Sequence, residues 1–464
     1  MKTAITLPVS ELKAILPGFA KVVAKRSALP ILGCLRIEQL AEEISLTATD
    51  LDDHLQTRIA GSAKPTVMIV PLDLLAKAAK STTDSIMLMG DGEEITLRTF
   101  AGDCPIDQSV PYIAPAEWPE TPTVTDAGIE IEGSARQAIR EAFTCSSEDE
   151  SRLILNSAYL DVSDPKAHYV VGTNGRLLFS ANSFQFGLKE SLMLPRRRFL
   201  SWSAFWDEPS CQLSSEAAKE KGSAWVQFKT DRWTFITRQI DGNYPNWKQI
   251  IPSGSAKTTV ELDAQTVAKL LAVLPLLPGK EQKDSPLKLE ISQGQFQVIA
   301  KSNTAYSPVP VSSAKVTGRD VNINLNRDYL LKALQLGLSE IQIFDALSPL
   351  ICQAGGKRLL IAPLRPDASL TVSSTPQTST PTTTEEPQPE KTMTKTTENN
   401  EVPETAIKKV IDQIERIKET LKSVLTDFGD VLTALKTAEK EKKASEKEIE
   451  SIRTTLRSLQ KVQI

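Results

Sequence analysis

One passage occurs three times in this chain. Residues 169–180 read Tyr-Val-Val-Gly-Thr-Asn-Gly-Arg-Leu-Leu-Phe-Ser, two short apolar runs around Asn174-Gly175. Asn-Gly takes the positive φ angles of a tight two-residue turn, so the passage predicts a β-hairpin. Weaker versions stand about 124 residues upstream, at 45–51, and about 126 residues downstream, at 296–302. Helical patterns keep the same interval. First helices begin near 9, 133 and 263, and second helices near 71, 195 and 326. A shared interval of about 124–131 residues predicts a threefold repeat of a helix–strands–helix–strands unit. Each unit is expected to be antiparallel α+β, with two helices packed on one sheet face.

Apolar spacing places the helices. Leu12, Ile15, Leu16, Phe19, Val22 and Val23 recur at helical period, although Pro17-Gly18 predicts a kink or a split. Leu74, Leu75, Ala78 and Ala79 mark the second helix, from Pro71. The middle repeat carries Ala135, Ala138, Ile139, Ala142 and Phe143 on one helical side and Arg136 and Arg140 on the other. Its second helix is expected from Pro195, with Arg196, Arg197 and Arg198 in the first turn and Phe199, Trp202, Phe205 and Trp206 behind. In the last repeat Asp263 and Asn326 stand as N-caps before apolar helical stripes.

Composition limits the chemistry. The chain of 464 residues is too long for one core, and its net charge of −4 excludes a uniformly basic nucleic-acid binder. A basic surface on one face remains compatible with that charge. Cysteines at 34, 104, 145, 211 and 352 form no C-x-x-C pair and are expected as free thiols of a reducing cytosol. No signal-peptide core or membrane-length apolar run occurs, so a soluble cytoplasmic protein is expected. His54 and His168 stand alone, and no nucleophile elbow, P-loop, dinucleotide fingerprint or zinc-protease motif is present. These features predict no enzyme, no metal and no cofactor. The acidic pair Asp52-Asp53 is expected to be solvated, and Asp50-Leu51-Asp52-Asp53 has no histidine or third-element ligand to make a metal site. Lys77, Lys80, Arg136, Arg140 and the 196–198 arginines instead fall on predicted helices in successive repeats. Helices sharing one surface would make that surface basic, which suits a phosphate backbone.

After Arg365 the pattern changes. Residues 368–404 are rich in Thr, Ser, Pro and Glu and are expected to be a disordered linker. Residues 405–464 carry a heptad, with Ile407, Ile414, Leu421, Phe428 and Leu435 at a and Val410, Ile417, Val424 and Val431 at d. This is a coiled-coil seam. It weakens at Ala438, Lys442 and Ser445, leaving open a fold-back into two antiparallel helices.

Seven passages together carry a resemblance. They are Ala28-Leu29-Pro30-Ile31-Leu32-Gly33, residues 45–51, Arg152-Leu153-Ile154-Leu155-Asn156, Thr173-Asn174-Gly175-Arg176-Leu177-Leu178, Gly242-Asn243-Tyr244-Pro245-Asn246-Trp247 with Ile251-Pro252, residues 325–334 and residues 359–365. In order and spacing, residues 1–365 resemble the bacterial replicative sliding clamp, the beta subunit of DNA polymerase III. The resemblance implies three DNA-clamp domains, at 1–126, 127–255 and 256–367, with antiparallel sheets outside and two helices each inside. It implies a head-to-tail homodimeric ring around double-stranded DNA, a non-catalytic processivity factor without cofactor. Arg26, Lys80, Arg196 and Arg197, with Arg198 beside them, match DNA-facing positions. Leu155, Thr173, Gly175, Arg176, Leu177, Leu178, Pro245, Ile250, Pro349, Leu360, Ala362, Pro363, Leu364 and Arg365 match a cleft for linear peptides of the polymerase, the clamp loader and repair proteins. The chain departs from the family at Asn174, usually Asp, at Leu177, usually basic, and at Gln249, also usually basic. The alternative is a diverged clamp-fold scaffold whose coiled coil recruits a partner.

Overall fold

In a computed structural model, which describes residues 3–24, 27–81, 84–216, 224–301 and 306–365, the three repeats follow one element order. The first pass runs β1 (Thr3–Pro8), α1 (Val9–Val22), β2 (Cys34–Gln39), β3 (Glu43–Thr49), β4 (Asp53–Ala60), β5 (Thr66–Pro71), α2 (Leu72–Ser81), β6 (Ser85–Gly90), β7 (Glu94–Ala101) and β8 (Cys104–Pro111). The second runs β9 (Ile129–Glu130), α3 (Gly133–Cys145), β10 (Ser157–Asp161), β11 (Tyr169–Thr173), β12 (Leu177–Ala181), β13 (Leu192–Pro195), α4 (Ser203–Trp206), β14 (Gln212–Glu216), β15 (Trp225–Lys229) and β16 (Trp233–Arg238). The third runs β17 (Thr258–Glu261), α5 (Ala264–Val273), β18 (Pro286–Ser292), β19 (Gln295–Lys301), β20 (Tyr306–Pro310), β21 (Lys315–Gly318), β22 (Val321–Asn326), α6 (Arg327–Gln335), β23 (Glu340–Ile343), β24 (Leu350–Ala354) and β25 (Lys357–Ile361). Only β21 is extra to the shared plan.

Every pass divides its strands between two antiparallel sheets, and neighbouring passes share a sheet. Strand β4 pairs with β16 from Asp53↔Thr237 to Trp233↔Thr57, fusing eight strands in the order β5-β2-β3-β4-β16-β15-β14-β9. Strand β12 pairs with β25 from Leu177↔Ile361 to Ala181↔Lys357, fusing nine. Two four-stranded sheets remain, β1-β6-β7-β8 and β20-β19-β18-β22, each with a free edge at β8 or β20. The helices cover the apolar sheet faces. Ile15, Phe19, Leu75, Ala138, Ile139, Leu270 and Leu330 all join one continuous buried cluster.

Three sequence expectations are corrected. Helix α1 runs unbroken through Pro17. The ring costs a helical hydrogen bond, but Leu16 and Phe19 on either side of it stay buried and hold the segment on the core. The helix expected from Pro195 is not continuous: residues 198–201 form turns, Trp202 is extended, and α4 spans four residues. Aromatic residues are mediocre helix formers, and here they serve a ring cluster instead. Phe199 packs 4.9 Å from Phe205, 4.8 Å from Phe235 and 5.6 Å from Trp233. Finally, the hairpin at Asn174-Gly175 is wider than two residues, because Thr173 pairs with Leu178. The caps Asp263 and Asn326 are as expected: their carboxylate and amide oxygens accept from Thr266 N (2.7 Å) and Asp328 N (2.8 Å). The Thr/Ser/Pro linker and the heptad segment lie outside the described residues.

The wide turn is built twice. Asn174 Oδ1 accepts from the amides of Arg176 (2.9 Å) and Leu177 (3.0 Å), and Thr173 Oγ1 accepts from Gly175 N (3.1 Å). In the first pass Asp50 Oδ1 accepts from the amides of Asp52 (3.1 Å) and Asp53 (2.7 Å), and Thr49 Oγ1 accepts from Leu51 N (2.9 Å). Gly175 has φ 87° and Leu51 φ 84°. A left-handed leucine costs roughly 1–2 kcal/mol, so the Asx-turn bonds hold Leu51 where glycine would sit without strain.

Helix α3 rests on β11 through Gly172. A Cβ there would stand 2.2 Å from the carbonyl oxygen of Ala142. Replacing Gly172 with Ala is expected to destabilise the chain by about 3 kcal/mol, read as a lower urea midpoint; an unchanged midpoint would refute this contact.

Candidate partner cleft and nucleic-acid face

Strand alternation at the second–third joint sends successive side chains to opposite faces. Leu177, Phe179 and Ile361 enter the main core. Leu178 and Leu360 point the other way, into a separate buried cluster with Val171, Trp247, Phe344 and Ile351. Tyr159, Tyr169, Tyr244 and Ile251 pack partly buried against it. The Tyr159 and Tyr244 rings stack at 4.4 Å, and Tyr169 meets Trp247 edge-on at 5.1 Å. Trp247 Nε1 donates to Asp161 Oδ2 (2.9 Å) and Lys248 Nζ stands 3.2 Å from the same oxygen. Burial raises the Asp161 pKa, but bonds from Ser163, Trp247 and Lys248 outweigh it and hold the carboxyl below its ordinary range.

Of the residues matched to a peptide cleft, the structure therefore gathers Leu178 and Leu360 in the cluster floor. Thr173, buried, and Gly175 and Arg176, exposed, form the turn beside it. Ala362, Pro363 and Leu364 are half-buried and Arg365 is exposed. Their segment is tied down by Ala362 N donating to Arg176 O (3.0 Å) and Leu364 N to Asn324 O (2.7 Å). Pro245 and Ile250 are exposed and Pro349 is half-buried. Leu177 is not with them; it is enclosed on the opposite face, which is why an apolar residue stands there. Leu155 is half-buried and belongs to neither cluster. Val171, Phe344 and Ile351 escaped the sequence reading. Alternation pointed to Val171, two residues before Thr173, whereas Ile351 faces Leu360 only through the register of β24 on β25.

The basic residues divide sharply. Lys80 is exposed at the end of α2, and Arg26 lies outside the described residues. Arg196 pairs with Glu148 at 3.1 Å, and Arg198 donates to Ala20 O at 3.2 Å. Arg197 is turned inward: its Nε lies 3.1 Å from Asp53 Oδ1 and 3.2 Å from Thr237 Oγ1. Arg136 likewise donates to the carbonyls of Glu208 (2.5 Å) and Pro209 (3.2 Å). The expectation of a solvated Asp52-Asp53 pair is corrected at Asp53, which is buried at the first–second joint and accepts from Thr237 Oγ1 at 2.7 Å. His54 and His168 are both buried; His168 Nδ1 accepts from Phe186 N at 2.8 Å. No group of three or more metal-ligating side chains occurs among the described residues, and none of their helices is long and apolar enough to cross a membrane.

A threefold plan, sheets fused between repeats, and an apolar cluster beside the second joint define a DNA clamp by fold. Within that class the chain is similar to the bacterial beta sliding clamp, the beta subunit of DNA polymerase III. It is 23% identical to the Beta sliding clamp of Pseudomonas putida over 347 residues, covering 73% of this chain and 92% of that one. Identity to the Pseudomonas aeruginosa Beta sliding clamp is 24% over 325 residues, or 68% and 85% of the two chains. The crystal structure of the beta subunit from DNA polymerase of Streptococcus pyogenes superposes with a TM-score of 0.69 at 18% identity, over 78% of this chain and all of that one. A C. crescentus beta sliding clamp, with PEG bound to its putative beta-motif tethering region, gives 0.69 at 20% identity, over 78% and 99%. No family model matches the chain.

Burial, opposed by Arg197, pushes the Asp53 pKa up to about 7 from 3.8. The folded chain therefore keeps this proton after the unfolded chain has lost it. Its contribution to stability is full below about pH 4 and is lost as pH rises toward about 7. Asp53→Asn should flatten the stability–pH curve across that window, measured by urea unfolding at stepped pH.

Proposed function

We propose that this protein is a DNA sliding clamp: a non-catalytic ring subunit that encircles duplex DNA and tethers a polymerase and other partners through a peptide groove. The observation that carries this reading is the fusion of successive passes by strand pairing, with free edges left at β8 and β20. A second copy, added head to tail, would supply the missing pairing. Tyr112 N donates to Glu93 O, so even-numbered residues of β8 bond inward and Asp107 and Ser109 direct their amides to the free edge. Val311 N donates to Phe296 O, which by the same alternation turns Pro308 and Pro310 outward. Prolines offer carbonyls only. The same alternation turns Pro105 and Pro111 of β8 outward beside Asp107 and Ser109, so β8 offers two outward amide donors there and the outward prolines of both edges offer carbonyls only.

A ring solves a rate problem. Sequence-independent DNA binding has a dissociation constant of about 10⁻⁴–10⁻⁶ M at physiological salt. With association near 10⁸ M⁻¹s⁻¹, an open binder would leave within roughly 0.1–10 ms. A closed ring is retained by topology and still slides. We assign its three domains to 1–126, 127–255 and 256–367, and its place to the cytoplasm. Lys80, Arg196 and Arg198 are the described candidates for phosphate contact, with Arg26 as a further one; Arg197 acts first as a joint between passes. The groove takes linear peptides over the Leu178–Leu360 floor, between the turn at Arg176 and exposed Ile250. Leu347, 71% exposed beside Pro349, extends the apolar rim. Covering each such side chain is worth about 1.5–3 kcal/mol.

The outward prolines also favour a second reading, a clamp-fold scaffold with a weakened ring that relies on its C-terminal heptad. Loading on nicked circular DNA separates the two. A sliding clamp is retained on circles and lost when they are linearised, whereas equal retention on both forms refutes the topological reading. Ser109→Pro removes one outward donor, so the dimer should dissociate at several-fold higher protein concentration in sedimentation runs.

A further inference from the structure

One cation at the mouth of the groove, Arg176, is already taken. Arg176 forms a close ion pair with Asp284, which belongs to the third pass. The loop carrying Asp284 is constrained to deliver it. Asp284 has φ 63° and Ser285 φ 38°, two consecutive non-glycine residues in the left-handed region. Such residues persist only where their surroundings over-determine them, and they concentrate at functional sites.

Those surroundings can be named. Ser285 is buried; its amide donates to Gln282 O (3.0 Å) and its hydroxyl to Lys280 O (3.1 Å). Arg327, the first residue of α6 and also buried, donates from its amide to Ser285 O (2.9 Å). Its guanidinium donates to the carbonyls of Leu277 (2.6 Å) and Pro278. A buried arginine thus staples both ends of the loop. Helix α6 holds the other partner too, since Asn174 Nδ2 donates to the Tyr329 hydroxyl at 3.4 Å. The second cation beside the cluster, Lys248, is neutralised in the same way by Asp161.

We infer that Asp284 sets the charge preference of the groove: by occupying Arg176 it selects linear peptides with apolar anchors and uncharged flanks over acidic ones. This rests on the peptide-groove reading above. An incoming carboxylate would have to displace one that the fold has already positioned, exchanging one ion pair for another at the cost of its own desolvation. An uncharged peptide pays no such exchange and gains the same apolar contact.

Fluorescence anisotropy with the full chain tests this. The probes are two fluorescein-labelled decapeptides of identical Ser, Leu and Phe pattern, one with glutamine and one with glutamate at its flanking polar positions. The native chain should bind the glutamine peptide more tightly. Asp284→Asn should strengthen glutamate-peptide binding about threefold or more at low salt, with the gain shrinking as salt rises. In the double variant with Arg176→Gln that gain should vanish, which separates freed charge from loop damage. An unchanged peptide ratio in Asp284→Asn, or a gain that survives in the double variant, overturns the assignment and leaves the groove standing. Failure of both peptides to bind any form of the chain overturns the groove itself.

Discussion

Strand pairing between repeats is the constraint on which the rest of the structure depends. Each pass makes two half-sheets, and a half-sheet alone leaves a row of unpaired amides and carbonyls at its edge. Pairing β4 with β16 and β12 with β25 satisfies those groups and makes one continuous core out of three passes. Both joints use the same geometry. The turn before each joining strand is locked by a Thr hydroxyl and an Asx oxygen, so the strand enters its neighbour's sheet at a fixed register.

The same device is put to different chemical ends. At the first joint the strand opens with Asp53, whose carboxylate is buried against Arg197 and Thr237. Removing Arg197 would leave the buried Asp53 carboxyl without its neighbouring cation, with Thr237 still donating to it. The corresponding position at the second joint is Leu177, buried without any polar obligation. The electrostatic ties at that joint are an exposed pair, Arg176 with Asp284, and a largely buried one, Lys357 with Glu141 at 2.7 Å. At the first joint the strand's opening residue meets a polar set, Arg197 and Thr237, while at the second it is apolar and the opposite face carries an apolar cluster.

That division also explains why some basic residues changed character between sequence and structure. Arg136, Arg140, Arg196, Arg197 and Arg198 read alike as exposed cations on helices. Folding separates them, because guanidinium groups reach several ångströms and find carbonyls and carboxylates on neighbouring elements. Arg136 closes onto residues 208 and 209, and Arg197 onto Asp53. No local pattern encodes those partners, which lie 72 to 144 positions away along the sequence.

The amino-acid sequence by itself determined the threefold plan, the caps at Asp263 and Asn326, and the apolar runs of the strands. These are local or periodic signals, set by the pitch of a helix, the alternation of a strand and the bonding habits of short polar side chains. It also carried the resemblance to a sliding clamp, because the motif order survives along the chain. Only the tertiary structure decided which face each leucine of Leu177-Leu178 takes, that Asp53 is buried, and that Arg176 is already paired. Those outcomes depend on register and on contacts between distant passes, where a shift of one residue would exchange the core face for the groove face. The passage at Asn174-Gly175 belongs to both accounts: its recurrence is written in the sequence, and its place at the groove is given by the strand it joins.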